Sequence, residues 1–187
     1  MNIRGDDLIA VHARVENALK LAWAQGLAGS NPVAVLLVAF DSGDGPADNA
    51  DASNLERTLR VHCGRDHDIV LRRRHDEFIA ILPETPPAGA RRVGEQIVDA
   101  MRSADNGQIH RVSVGVAVSV PDEQQAPSNL LRRAESALQA AREHGGDRCI
   151  GCGTATGAPP SPKSTLAQLR DLLPRKKKDP DFKRRTD

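Results

Sequence analysis

The hydrophobic positions change period several times along the chain. Leu8, Val11, Val15 and Leu19 recur at helical spacing and Gly26 with Gly29 can end that helix, so residues 1–30 read as an N-terminal helix leading into a domain. Val33 to Phe40 is an unbroken apolar run with Pro32 ahead and Asp41-Ser42-Gly43-Asp44-Gly45-Pro46 behind, the pattern of a strand buried on both faces. A short helix is expected around Asn54 to Val61. Ile69 to Arg72 and Phe78 to Leu82 then read as two strands joined by a tight turn. Val93, Ile97 and Met101 mark another amphipathic helix. His110 to Val120 alternates Val112, Val114, Val116, Val118 and Val120 with small or polar residues, a period of two with high β propensity. Ser128, after Pro127, is placed to cap a last helix carrying Leu131, Ala134, Leu138 and Ala141, which Gly145-Gly146 terminates. The order helix, strand, helix, hairpin, helix, strand, helix predicts an α/β sandwich over residues 31–150, with helices packed on a mixed central sheet.

Composition narrows what this domain can do. The 187 residues are 39% apolar and 27% charged, and 26 Lys plus Arg against 25 Asp plus Glu leave +1, the balance of one globular domain with appendages. Aromatics are 2%, so a ladder of rings stacking on nucleic-acid bases is not expected and the core must come from Val, Leu, Ile and Ala. The longest apolar run, eight residues, is far short of the ~20 that span a bilayer. Met1 to Asp7 does not open a secretion signal, and three cysteines fit a reducing compartment, so the expectation is cytoplasmic. Charge is uneven: residues 159–187 hold nine Lys/Arg against four acids, a net +5, leaving −4 for the remainder. Gly151 to Pro162 is rich in small residues and proline, so 151–163 is expected to be a flexible linker. Beyond it, 164–187 reads as a basic tail with a short amphipathic helix of Leu166, Leu169, Leu172 and Leu173 before Arg175-Lys176-Lys177-Lys178. Such a stripe beside a basic run can meet a protein groove, an anionic membrane surface or nucleic acid, or dock on its own domain.

Two motifs stand inside the domain. Arg65-Asp66-His67-Asp68 is an R-x-x-D five residues ahead of the hairpin turn Arg74-His75-Asp76-Glu77-Phe78. A guanidinium fork suits phosphate and stacks on a purine, while a carboxylate accepts two parallel donors from guanine; the plain alternative is an ion pair closing a turn, worth ~0–1 kcal/mol. Arg72, Arg73 and Arg74 with His75 make a cationic cluster on the hairpin, near His62 and His67. Cys149-x-x-Cys152 has the spacing of half a zinc site, with Cys63 and His144 as conceivable partners, but lacks the second pair that metal needs, and no metal is expected. Trp23 reads as a core or interface anchor.

The strand and turn Val33 to Asp41, the hairpin Asp68 to Pro83, and Val112-Ser113-Val114-Gly115-Val116-Ala117 leading into Leu130 to Arg142 follow one another in a shared order and spacing. In these the chain resembles the GGDEF family, the diguanylate cyclases that join two GTP molecules into cyclic di-GMP. The resemblance implies a nucleotidyl-cyclase-like sandwich and a bacterial signalling role. It also implies a chemistry in which carboxylates hold divalent ions while one GTP's 3′-hydroxyl attacks the other's α-phosphate. Several of the family's positions are altered. Its first metal carboxylate falls on Ala39, its phosphate lysine on Asp44 and its guanine-reading Asn near Ala47; the signature reads Arg74-His75 where the family has two glycines, and its second basic residue on the closing helix falls on Gly146. Asp41, Asp76 and Glu77 remain as remnants, and Arg142 stands for the family's phosphate-binding Lys. Arg74 and His75 are expected to strain the turn and fill the nucleotide's space. Arg65 and Asp68 match the family's inhibitory site, where the Arg contacts phosphate and guanine and the Asp accepts from guanine. The expected protein is therefore a catalytically inactive GGDEF-like domain that binds cyclic di-GMP or a protein partner, needs no cofactor, and is compatible with a homodimer. A weakly active cyclase, for which alone Mg²⁺ is implied, and an adaptor without nucleotide binding are the alternatives.

Overall fold

The computed structural model describes residues 5–41, 49–103 and 111–152. Nine elements follow in chain order: α1 (Gly5–Gly29), β1 (Val33–Phe40), α2 (Asn49–His62), β2 (Ile69–Arg72), β3 (Glu77–Pro83), α3 (Pro87–Arg102), β4 (Val112–Ser119), α4 (Pro127–Glu143) and β5 (Cys149–Cys152). The strands form one sheet in the order β2-β3-β1-β4-β5, antiparallel except for the parallel β4–β5 pair. This is the α/β sandwich with a mixed central sheet that the periodicity predicts.

The unbroken apolar run of β1 is explained by the layers on either side of it. Ala34, Leu36, Val38 and Phe40 pack with Leu55 and Leu59 of α2 and Ile97 and Met101 of α3, whereas Val33, Val35, Leu37 and Ala39 face Val15, Leu19 and Trp23 of α1 and Leu130, Ala134 and Leu138 of α4. In β4 the valines point to the first layer. Its small residues face α4, which lies so close that a Cβ on Gly115 would sit 2.3 Å from both Ala134 O and Leu138 N. The alternation of valine with small residues thus encodes a helix pressed onto the strand.

Four expectations are corrected. The N-terminal helix does not merely lead into the domain: α1 covers one face of the sheet, because its apolar stripe of Val15, Leu19, Ala22 and Trp23 must be buried somewhere. The helix expected from Asn54 begins at Asn49, where Ala52 continues the stripe of Leu55 and Leu59. The N-cap of α4 is Ala126 rather than Ser128, with no side-chain cap; Pro127 at the first helical position presets φ and has no N–H to satisfy. A fifth strand was not expected, yet Gly151 and Cys152, read as the start of a linker, pair with β4 at Val116 and Ala117. The rest of that linker and the tail lie outside the described residues, as do Asp44 and Ala47. Among the described residues, no helix is long and apolar enough to cross a membrane.

Candidate functional site

The residues singled out in the sequence fall at opposite ends of the sheet. At the C-terminal end of β1, Ala39 pairs with Glu77 of β3 on one side and Ser113 of β4 on the other, so the three side chains share the face that α4 covers. Glu77 is buried there and needs a cation. Arg73 supplies it: Nη1 donates to Glu77 Oε1 at 2.8 Å while Nη2 donates to Glu135 of α4. Two residues past Ala39, Asp41 turns inward, accepting from Ser113 Oγ at Oδ1 (2.6 Å) and from the Asp147 main-chain N–H at Oδ2 (2.6 Å). Asp147 is held in turn by Arg102 through Nε at 2.7 Å. Gly146, at φ +70°, leaves no room for a side chain, since its Cβ would lie 2.5 Å from Asp41 Oδ2. Arg142 reaches back to Phe40 O through Nη2 at 3.4 Å, and its Nε is buried without a protein partner.

The hairpin turn is made without the strain expected of it. None of Arg73 to Asp76 has a positive φ. Instead Arg72, lying over the Phe78 ring, donates from Nε to Arg74 O (3.3 Å) and from Nη2 to His75 O (2.7 Å), and the amides of Arg73 and Arg74 both donate to Glu77 O. Arg74, His75 and Asp76 remain exposed. The arginines do not act as one cluster, because Arg72 serves the turn and Arg73 the glutamates.

At the other end, where Pro83 pairs with Val33, Arg65 and Asp68 face each other across a turn. Asp68 Oδ2 accepts from the Arg65 amide (3.1 Å) and the Asp68 amide donates to Arg65 O (3.0 Å). The Arg65 guanidinium donates from Nη1 to Thr85 Oγ1 (3.2 Å). Both side chains line a cavity of about 270 Å³, shared with His67, Gln25 and Gly26 of α1, and Pro83 and Glu84 after β3. Gln25 and Glu84 carried no motif in the sequence; only the fold brings α1 and the end of β3 to the R-x-x-D turn. Behind the turn, Cys63 is buried, and burial, reinforced by Asp68 and opposed by Arg65, pushes its thiol up to about 12. Cys149 sits between α3 and the sheet, its Sγ 2.6 Å from where a Gly94 Cβ would be, and burial pushes it up to about 12 as well. Both thiols are therefore held in the neutral, weakly nucleophilic form.

The family model "Diguanylate cyclase, GGDEF domain" matches residues 54–148, half of the chain. The chain belongs to the GGDEF family. An uncharacterized protein of Mycobacterium tuberculosis is 31% identical over 156 residues, covering 76% of this chain but 24% of that protein, so the chain spans about a quarter of the curated relative's length. The GGDEF fold is matched by the active GGEEF domain of a diguanylate cyclase from Vibrio cholerae, with a TM-score of 0.66 and 19% identity over 74% of this chain and 94% of that one. It is matched too by the GGDEF domain of DgcB from Caulobacter crescentus, solved in complex with cyclic di-GMP, with a TM-score of 0.60 and 18% identity over 73% and 85%. On this GGDEF framework the signature turn lies between β2 and β3, and the R-x-x-D turn precedes β2.

Proposed function

We propose that this GGDEF domain makes no cyclic di-GMP and acts instead by binding it at Arg65 and Asp68, passing that occupancy to a partner protein. The observation that carries the reading is the state of the remaining acids. Asp41 already accepts from Ser113 and Asp147, Glu77 is neutralised by Arg73, and Ala39 offers no oxygen, which leaves exposed Asp76 as the one open carboxylate of the three, and a single carboxylate does not fit a divalent ion holding a triphosphate. Arg65 and Asp68, in contrast, border open space. Asp68 Oδ1 is left to accept from a guanine edge, and a guanidinium beside it suits a phosphodiester. The cyclic di-GMP bound in the Caulobacter domain supports the choice of ligand.

With GTP and Mg²⁺ or Mn²⁺, the purified chain is expected to form no cyclic di-GMP above a no-enzyme blank; product that vanishes in an Asp76→Ala, Glu77→Ala variant would make it a cyclase. Calorimetric titration with cyclic di-GMP should show binding that Arg65→Ala weakens at least tenfold, since a charge-assisted contact is worth ~1.5–3 kcal/mol. Asp68→Asn keeps an acceptor for the Arg65 amide, so it should spare the turn and relax discrimination against cyclic di-AMP. No heat with excess ligand would reduce the motif to a turn and leave the adaptor reading in its place.

A further inference from the structure

The cavity at Arg65 and Asp68 is not built from the sheet alone. One wall is the last turn of α1, through Gln25 and Gly26, and another is the corner after β3 at Glu84. The two walls are tied together. Asn31, just after α1, donates from Nδ2 to Glu84 Oε1 at 2.9 Å, and the Thr85 amide donates to Pro32 O at 3.3 Å. Arg65 joins this path directly, because the Thr85 hydroxyl that accepts from its guanidinium belongs to the residue whose amide holds Pro32. Ser30 and Glu84, both at φ +52°, are non-glycine residues in the left-handed region, one on each side of the Asn31–Glu84 bond. Such conformations cost free energy and persist where the surroundings over-determine them. The seat of α1 is also close. A Cβ on Gly26 would lie 2.8 Å from Val33 Cγ2 and 2.9 Å from both Asn31 O and Pro121 Cγ.

Resting on the reading that this cavity takes cyclic di-GMP, we propose that the site is shared between α1 and the sheet, with Gln25 as a ligand-contacting residue, so that occupancy locks the C-terminal half of α1 onto the domain. The Gln25 amide offers a donor and an acceptor to a purine edge or a ribose hydroxyl, functions that Arg65 and Asp68 do not duplicate. A ligand spanning both walls binds only the seated form of α1, and it therefore suppresses local opening of that helix by the factor 1 + [L]/Kd. Trp23, the one tryptophan, is buried in the same stretch of α1 and reports on that seat.

The test uses the full chain with cyclic di-GMP as the probe. At ligand 100 times Kd, backbone amides of residues 22–29 should exchange with solvent at least tenfold more slowly, and Trp23 emission should shift with the same midpoint as the calorimetric titration. Gln25→Ala should weaken binding about three- to tenfold, the range one neutral hydrogen bond supplies, without changing the melting temperature of the free protein. Binding that depends on Arg65 but leaves exchange over 22–29 unaltered, or is indifferent to Gln25→Ala, overturns the shared site and leaves the proposed function standing. Absence of any heat with the wild-type chain overturns both.

Discussion

The two ends of β3 carry the same kinds of residues in opposite circumstances. At Glu77 an Arg–carboxylate pair is closed: Arg73 is divided between Glu77 and Glu135, the neighbouring position is Ala39, and Asp41 is occupied by Ser113 and Asp147. Beside Pro83, six residues on and about 20 Å away along the strand, Arg65 and Asp68 touch through the turn's backbone while their remaining groups border a cavity. Chemistry follows not from which residues are present but from which oxygens and N–H groups are still unengaged. A buried carboxylate such as Glu77, with only Ala39 beside it on β1, needs a cation to stay buried, and Arg73 supplies it.

That contrast predicts stability effects at one end and affinity effects at the other. The largest should come from Arg73→Ala, which strands Glu77 without its cation: about 3–5 kcal/mol in urea denaturation, largely recovered in an Arg73→Met, Glu77→Leu double variant. Only a cost below ~1 kcal/mol would show that Glu77 is not held by this pair. Asp41→Ala should cost about 1–3 kcal/mol, because it leaves Ser113 and the Asp147 amide unsatisfied. Arg65→Ala should cost less than ~1 kcal/mol of stability, its side chain being exposed, while removing most of the affinity for cyclic di-GMP. If it unfolds the domain instead, the open end is as structural as the closed one. Glu84→Gln keeps an acceptor for Asn31 and takes one negative charge away from a doubly negative ligand, so affinity should rise by about threefold, the size of a screened surface interaction; a fall in affinity would mean that the carboxylate itself holds the ligand.

Alkaline pH gives a smaller, shared effect. Burial raises the thiols of Cys63 and Cys149 from 9.0 to about 12, so the folded protein keeps protons that the unfolded chain releases near pH 9. The contribution is complete below pH 9 and is lost as pH rises towards 12. Cys63→Ala should flatten this decline in a pH series of urea midpoints, and an unchanged slope would show that the Cys63 thiol does not stay protonated in the folded state.

Much of the fold was legible because the periods are strong: the run at Val33 to Phe40 and the alternation from Val112 to Val118 identify their strands, while which helices cover each face comes from the structure. The strand Cys149–Cys152 was not legible. Four residues with two cysteines and a glycine have no period, and their strand character comes from pairing with β4. The site divides the same way. R-x-x-D and the altered signature can be read from spacing, but the sharing of Arg73 between Glu77 and Glu135 spans 62 residues from Arg73 to Glu135 and the cavity wall at Gln25 lies 40 or more residues from Arg65 and Asp68, distances at which only the folded sheet decides who meets whom. The strain expected at Arg74 and His75 shows the limit from the other side, since a glycine-bearing family turn need not keep its backbone once Arg72 ties the turn's own carbonyls.

The central claim, that ligand binding persists at one end of the sheet after the other has been closed, is tested most directly by mapping backbone amide chemical shifts during a titration with cyclic di-GMP. Changes should concentrate at Arg65 to Asp68, Gln25 and Glu84 to Thr85, and leave Asp41, Asp76, Glu77 and Arg142 in place. Shifts gathered at the signature turn, with none at Arg65 and Asp68, would contradict it.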